Sequence, residues 1–253
     1  MGYRFTNRTG GVSTGAFSSL NLALHVGDEP ALVLENRRVL GQEVGEHQYM
    51  EQVHGNRVVI VEAVSEPPTA DALVTGIPGV ALAVMVADCI PLLLTSKVAV
   101  AAVHVGRKGL MNSVALGAIA AMREIGASEI SATIGPSICG RCYEVSQEIF
   151  DEVTAVHPVA AATTPSWRPS PNPLRRNWTR GCAPWSMRRA SSRSTIGPHG
   201  SSAETGGAAV QGEAMLMHPF FDGFHGAARK FSHLLGTKPV LQLLLQPLLQ
   251  RMM

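Results

Sequence analysis

The chain has 253 residues, a hydrophobic fraction of 45%, a mean hydropathy of +0.13 and a net charge of +2. These values describe one large or two modest globular units and exclude a disordered chain. So small a net charge predicts no nucleic-acid partner. The charge is uneven, however: residues 1–164 carry ten basic and sixteen acidic side chains, whereas residues 165–253 carry eleven and three.

A short candidate strand precedes the glycine-rich turn Gly10-Gly-Val-Ser-Thr-Gly15. Asp28 is placed to cap a helix over 29–44, with Pro30 in the first turn and Gly45 just beyond the end. Residues 58–61 are a β-branched strand, and 79–87 and 98–103 are near-continuous apolar runs, as expected of strands covered on both faces. Pro91 and Lys97 mark a turn region between those two runs. A helix is expected over 112–125 with Asn112 as its N-cap, then a strand over 130–134. Ser146 caps a last helix over 147–156, ended by Pro158. This mixture of strands and helices makes the class α/β, with α+β as the alternative.

No leader-like h-region opens the sequence, and no apolar stretch reaches the roughly 18–20 residues of a membrane span. A cytoplasmic protein without a membrane partner is therefore the expectation. Four cysteines (Cys89, Cys139, Cys142, Cys182) are too few for a disulfide framework in a chain of this size.

His54, Cys89 and His104 close the phrases Gln52-Val-His-Gly55, Ala87-Asp-Cys-Ile-Pro91 and Ala102-Val-His-Val-Gly106. Two imidazoles and a thiolate are the ligand set of an open zinc site. Each residue alone is more often structural, and separations of 35 and 15 residues match no short zinc signature. Their shared position, at the ends of apolar runs followed by turn residues, is what points to chemistry. Cys139-Gly-Arg-Cys142 is a lone CxxC and reads as a pair of loop thiols. A P-loop lysine, a GxSxG elbow and the zinc-deaminase HxE…PCxxC pattern are all absent.

The character changes near Thr164. Residues 165–212 hold all three tryptophans, seven arginines, no lysine and one acid, Glu204. Neither helical nor strand periodicity runs through them. Order is expected to return at Met215-Leu-Met-His-Pro-Phe-Phe221.

Further phrases accompany the trio in a fixed order: Thr6-Asn-Arg-Thr-Gly-Gly-Val-Ser13, Leu20-Asn-Leu-Ala-Leu-His-Val-Gly-Asp28, Glu35-Asn-Arg37, Ala70-Asp-Ala-Leu-Val74, and Ile134-Gly-Pro-Ser followed by Cys142-Tyr-Glu-Val145. Over about residues 3–160 the chain resembles the bacterial laccase-domain family, long labelled multicopper polyphenol oxidase and now regarded as purine nucleoside phosphorylase-like. The resemblance implies one laccase-type mixed sheet with flanking helices. It makes His54, Cys89 and His104 the zinc ligands and catalytic centre, with Arg8 and Tyr143 as substrate-binding positions. It also implies purine nucleosides (adenosine, inosine, guanosine, methylthioadenosine) and phosphate as partners, with adenosine deamination as a further activity. Oligomeric state is open.

The tail departs from the family. Its usual Phe-Ser-His-Arg-Arg-Asp-Gly motif is missing, and Phe231-Ser-His-Leu234 matches only the first half. Asn177-Trp178-Thr179 must be encoded AAY-TGG-ACN, and the third base opens a frame reading Leu-Asp, which suits the family there. Residues 1–164 are thus read as the laccase-like domain, and 165–253 as an aberrant segment, out of frame and poorly ordered. Two rival functions stay open. A copper-dependent polyphenol oxidase is one, since the donor set also suits copper, although none of the nine histidines forms a His-x-His pair. An inactive metal-binding product of a damaged gene is the other.

Overall fold

The computed structural model describes residues 2–138, 143, 145–158 and 160, and the backbone alone of 213–218 and 229–231. The apolar runs of the middle third are strands: β4 (Ala72–Thr75), β5 (Ala81–Val86), β6 (Ile90–Thr95) and β7 (Val100–Val105). Shorter strands are β1 (Gly2–Phe5), β2 (His47–Gln48), β3 (Val58–Ile60), β8 (Ser131–Ile134), β9 (Glu213–His218) and β10 (Arg229–Phe231). The helices are α1 (Pro30–Val44), α2 (Arg107–Met111), α3 (Val114–Glu124) and α4 (Gln147–Val156).

The strands form two mixed sheets, ordered β1-β9-β5-β2 and β10-β8-β6-β7-β4-β3. Side chains alternate across a strand, so each buried strand serves two cores. On β6, Leu92 and Leu94 pack with Val114, Ala118 and Met122 of α3. Leu93 points the other way, into a core with Leu82 and Val84 of β5. The remaining face of β5 buries Ala81, Ala83 and Met85 against Leu40 and Val44 of α1. The layers therefore run helices, six-stranded sheet, four-stranded sheet, α1. Each fully buried leucine contributes roughly 1.5–3 kcal/mol of transfer free energy.

The α/β class, with mixed sheet and flanking helices, is as expected; the division of the strands between two sheets is new. Residues 90–95, read as part of a turn region, form a central strand instead. Pro91 is tolerated because it is the second residue of β6, where its missing N–H removes one ladder bond at the strand end while its carbonyl accepts from Gly135 N–H at 3.0 Å. Asp28 does not cap α1. Glu29 occupies that position without a side-chain cap, and Asp28 is spent on Ser13, Asn21 and the Glu29 N–H. Likewise α3 starts at Val114 after Ser113, and Asn112 ends α2. Ser146 does cap α4, accepting the Ile149 N–H at 3.4 Å.

Two strands lie within the segment read as aberrant. The backbone of β9 sits between β1 and β5, antiparallel to both, and β10 pairs antiparallel with β8. The expectation of poor order over 165–253 otherwise lies outside the described residues, as does the Cys139–Cys142 pair. No helix of the described residues is long and apolar enough to cross a membrane.

Candidate metal centre

Three elements deliver the trio to one place. His104 is the penultimate residue of β7, and Cys89 immediately precedes β6. The two strands are antiparallel neighbours, with His104 opposite Pro91 and Val105 opposite Ile90. His54 comes from the connection between β2 and β3 rather than from a strand end. The donor atoms of the three residues all lie within 4.8 Å of one another. Cys89 Sγ is 3.7 Å from His54 Nε2, and the two imidazoles meet edge to face at 4.6 Å between centroids.

The connection that carries His54 is tied down at both ends. Gln52 substitutes for a strand: its Nε2 donates to Met85 O at 2.7 Å and its Oε1 accepts the Met85 N–H at 2.9 Å. His54 itself has a φ of 59°, in the left-handed region that costs a non-glycine residue roughly 1–2 kcal/mol. Asp71 compensates. Its carboxylate accepts the N–H groups of Val53, His54 and Gly55 at 3.3, 2.9 and 2.7 Å, and also takes His104 Nδ1 at 2.8 Å.

The electrostatics favour a bound cation. Burial, then the neighbouring negative charges of Asp88 and Asp71, push the Cys89 thiol up to about 11. A thiolate is therefore poor company here until a positive ion joins it. Burial, followed by the nearby His104 ring, lowers the His54 pKa and so favours the neutral imidazole, the form that donates a lone pair to a metal. Tetrahedral zinc with ordinary Zn–S and Zn–N bonds would separate such an S···N pair by about 3.5 Å, close to the observed distance. His104 is buried while His54 is exposed, so the trio opens to solvent on one side. The set fits a metal ion that keeps one position for water or substrate.

Residues 2–176 match the family described as multi-copper polyphenol oxidoreductase laccase. The chain belongs to this family. A purine nucleoside phosphorylase of Streptomyces coelicolor is 45% identical over 173 residues, covering 64% of this chain and 72% of the relative. One from Mycobacterium bovis is 42% identical over 174 residues, covering 65% and 70%. Among solved structures, a Neisseria meningitidis protein of the DUF152 family superposes with a TM-score of 0.59 at 41% identity, covering 64% of this chain and 68% of that one. The family's phrases thus have physical jobs. Asn36 of Glu35-Asn-Arg37 is fully buried and bonds the Val12 N–H, Ser13 Oγ, Ser19 O and Asn21 O, which pins the glycine-rich loop to α1. Arg37 binds Leu22 O twice and lies over the Tyr49 ring at 3.9 Å.

Of the two further site residues read from the sequence, Tyr143 lies within electrostatic reach of Cys89. Burial raises its pKa; its hydroxyl hydrogen-bonds Arg107, and the charge of Cys89 acts on it. Arg107 in turn donates to Glu152 of α4 at 2.7 Å. Arg8 is held by its own loop: its Nε donates to Ser18 O at 2.8 Å, and its carbonyl accepts from Ser19 and Leu20. Two contributors were passed over in the sequence. Gln52 and Asp71 stand inside quoted phrases, but nothing local shows that a glutamine will complete a strand or that a carboxylate will gather three N–H groups.

Proposed function

We propose that the chain is a zinc-dependent purine nucleoside phosphorylase whose active centre is His54, Cys89 and His104. The convergence of these three donors within 4.8 Å, in a chain 45% identical over 173 residues to a relative named for that activity, carries the reading. When bound, zinc supplies Lewis acidity and lowers the pKa of a water.

In phosphorolysis the bond between ribose C1′ and the purine nitrogen breaks, a phosphate oxygen bonds C1′, and the departing base keeps the electron pair and takes a proton. The open side at His54 admits the nucleoside, while buried His104 on β7 and half-buried Cys89 just before β6 hold the centre rigid. Tyr143, with Arg107 bonded to it, and Arg8 are assigned to binding the substrates. Adenosine deamination would use the same centre, with water oxygen replacing the C6 amino group as ammonia leaves. The family description also names a copper oxidase. Among the described residues, however, a single His/Cys group is present, whereas multicopper chemistry needs several ions.

The test is phosphate-dependent release of adenine from adenosine by the purified full chain, with metal analysis of the same sample. Release that requires phosphate, with stoichiometric zinc, is expected. Stoichiometric copper with turnover of a phenol and no adenine release would overturn the reading.

A further inference from the structure

Asp71 is fully buried, and its two carboxylate oxygens receive four donors: three successive backbone N–H groups and one imidazole nitrogen. Those donors belong to the two segments that carry the histidines. Its own backbone is fixed as well, since its N–H donates to Arg57 O at 3.0 Å and its carbonyl accepts the His104 N–H at 2.8 Å. The carboxylate therefore cannot shift without moving both ligand segments.

We propose that Asp71 is the positioning residue that sets both histidine ligands, the backbone turn of one and the tautomer of the other. The proposal rests on the metal-centre reading above. An ionised carboxylate only accepts hydrogen bonds, so when the His104 imidazole carries a single proton the contact with Asp71 places it on Nδ1. Nε2 is then left with its lone pair for a metal. At His54 the same carboxylate holds three N–H groups pointing inward, which keeps the residue at its positive φ and its ring beside Cys89 Sγ. Gly55 is matched to this arrangement, because a Cβ there would lie 3.3 Å from Asp71 Oδ2. One side chain thus converts a turn and a strand residue, 50 positions apart in sequence, into a single ligand pair.

Asparagine exposes the device, because it has almost the same shape but only one acceptor oxygen. With its amide nitrogen towards His104, it donates to Nδ1 and drives the ring proton to Nε2, where it blocks the metal. With the oxygen there instead, its nitrogen opposes the Gly55 N–H and the turn loosens. The experiment uses the full chain and its Asp71→Asn variant. The His104 tautomer is read in metal-free protein by long-range proton–nitrogen NMR, cobalt(II) affinity by its visible absorption, and folding by thermal melting.

We expect Nδ1–H in the wild type, and in the variant either Nε2–H or loss of the ordered His54 turn. Cobalt affinity should fall about 10–100-fold while the variant still melts cooperatively. Nε2–H in the wild type overturns the proposal and needs no folded variant. Unchanged cobalt affinity in a folded variant overturns it too. If the wild type shows Nδ1–H and the variant switches, yet neither binds cobalt, the metal-centre reading has failed while Asp71's control of the two segments stands.

Discussion

Gly106 stands so close to His54 that a Cβ built on it would lie 2.8 Å from the imidazole Cδ2, and 3.1 Å from Cys89 Sγ. Its own backbone is unremarkable, with φ −80° and ψ 174°, so alanine is excluded by space rather than by conformation. The exposed His54 ring is the part able to give way. Gly106→Ala should therefore weaken zinc binding by about tenfold or more, as expected when a ligand or its support is displaced. Its metal-free melting temperature should stay near wild type. Competition titration against a chromogenic chelator measures the first effect; wild-type affinity would show that the contact is harmless.

Leu93 lies between the two sheets, fully buried among Leu82, Val84, Val100 and Ala102. Leu93→Ala should cost about 2–5 kcal/mol, the sum of lost transfer energy and a cavity that rigid strands cannot close. Leu34 on α1 is 56% exposed, and its alanine variant should stay within about 0.5 kcal/mol of wild type. Urea unfolding of the pair separates a sandwich core from a surface; equal losses would contradict the two-sheet packing.

Asp28 predicts a pH effect. Burial alone would raise its carboxyl, but hydrogen bonds from Ser13 and Asn21 and from the Glu29 N–H outweigh it and hold the pKa below its usual value. A folded-state pKa below the unfolded one means stabilisation that is complete above the ordinary carboxylate range and is lost as pH falls through the folded value. Asp28→Asn should lower stability near neutral pH and flatten the acid limb of the stability curve. Melting temperatures measured from pH 7 downward check this, and a limb of unchanged slope would remove Asp28 from the explanation.

The tail carries a prediction that DNA can answer. The codons of Asn177-Trp178-Thr179, read from the third base, should open a frame of laccase-family type with His-Arg-Arg-Asp codons downstream. Such a misreading of GC-rich codons would account for the composition of 165–212, with seven arginines and no lysine. Early stop codons in that frame would end the idea.

Much of the fold was readable because it rests on local rules. Continuous apolar runs marked β5 and β7, glycine at 45 and serine at 146 bounded helices, and three short phrases singled out the donors. Errors arose where a local rule met a tertiary demand. Pro91 signals a turn, yet its missing N–H falls at a strand end, so β6 continues past it. Asp28 suits an N-cap, yet the loop from Ser13 to Asn21 claims its oxygens first.

The identities of the three donors, their placement on or beside buried strands and the family all reside in the chain's one-dimensional pattern, because ligand chemistry and strand burial depend on residue type and spacing. Their convergence does not. It depends on β6 and β7 pairing in the register that sets Cys89 beside His104, on Gln52 bonding to β5, and on Asp71 drawing the His54 turn inward. Each of these is a long-range hydrogen bond with many possible partners in the unfolded chain. Only folding selects among them.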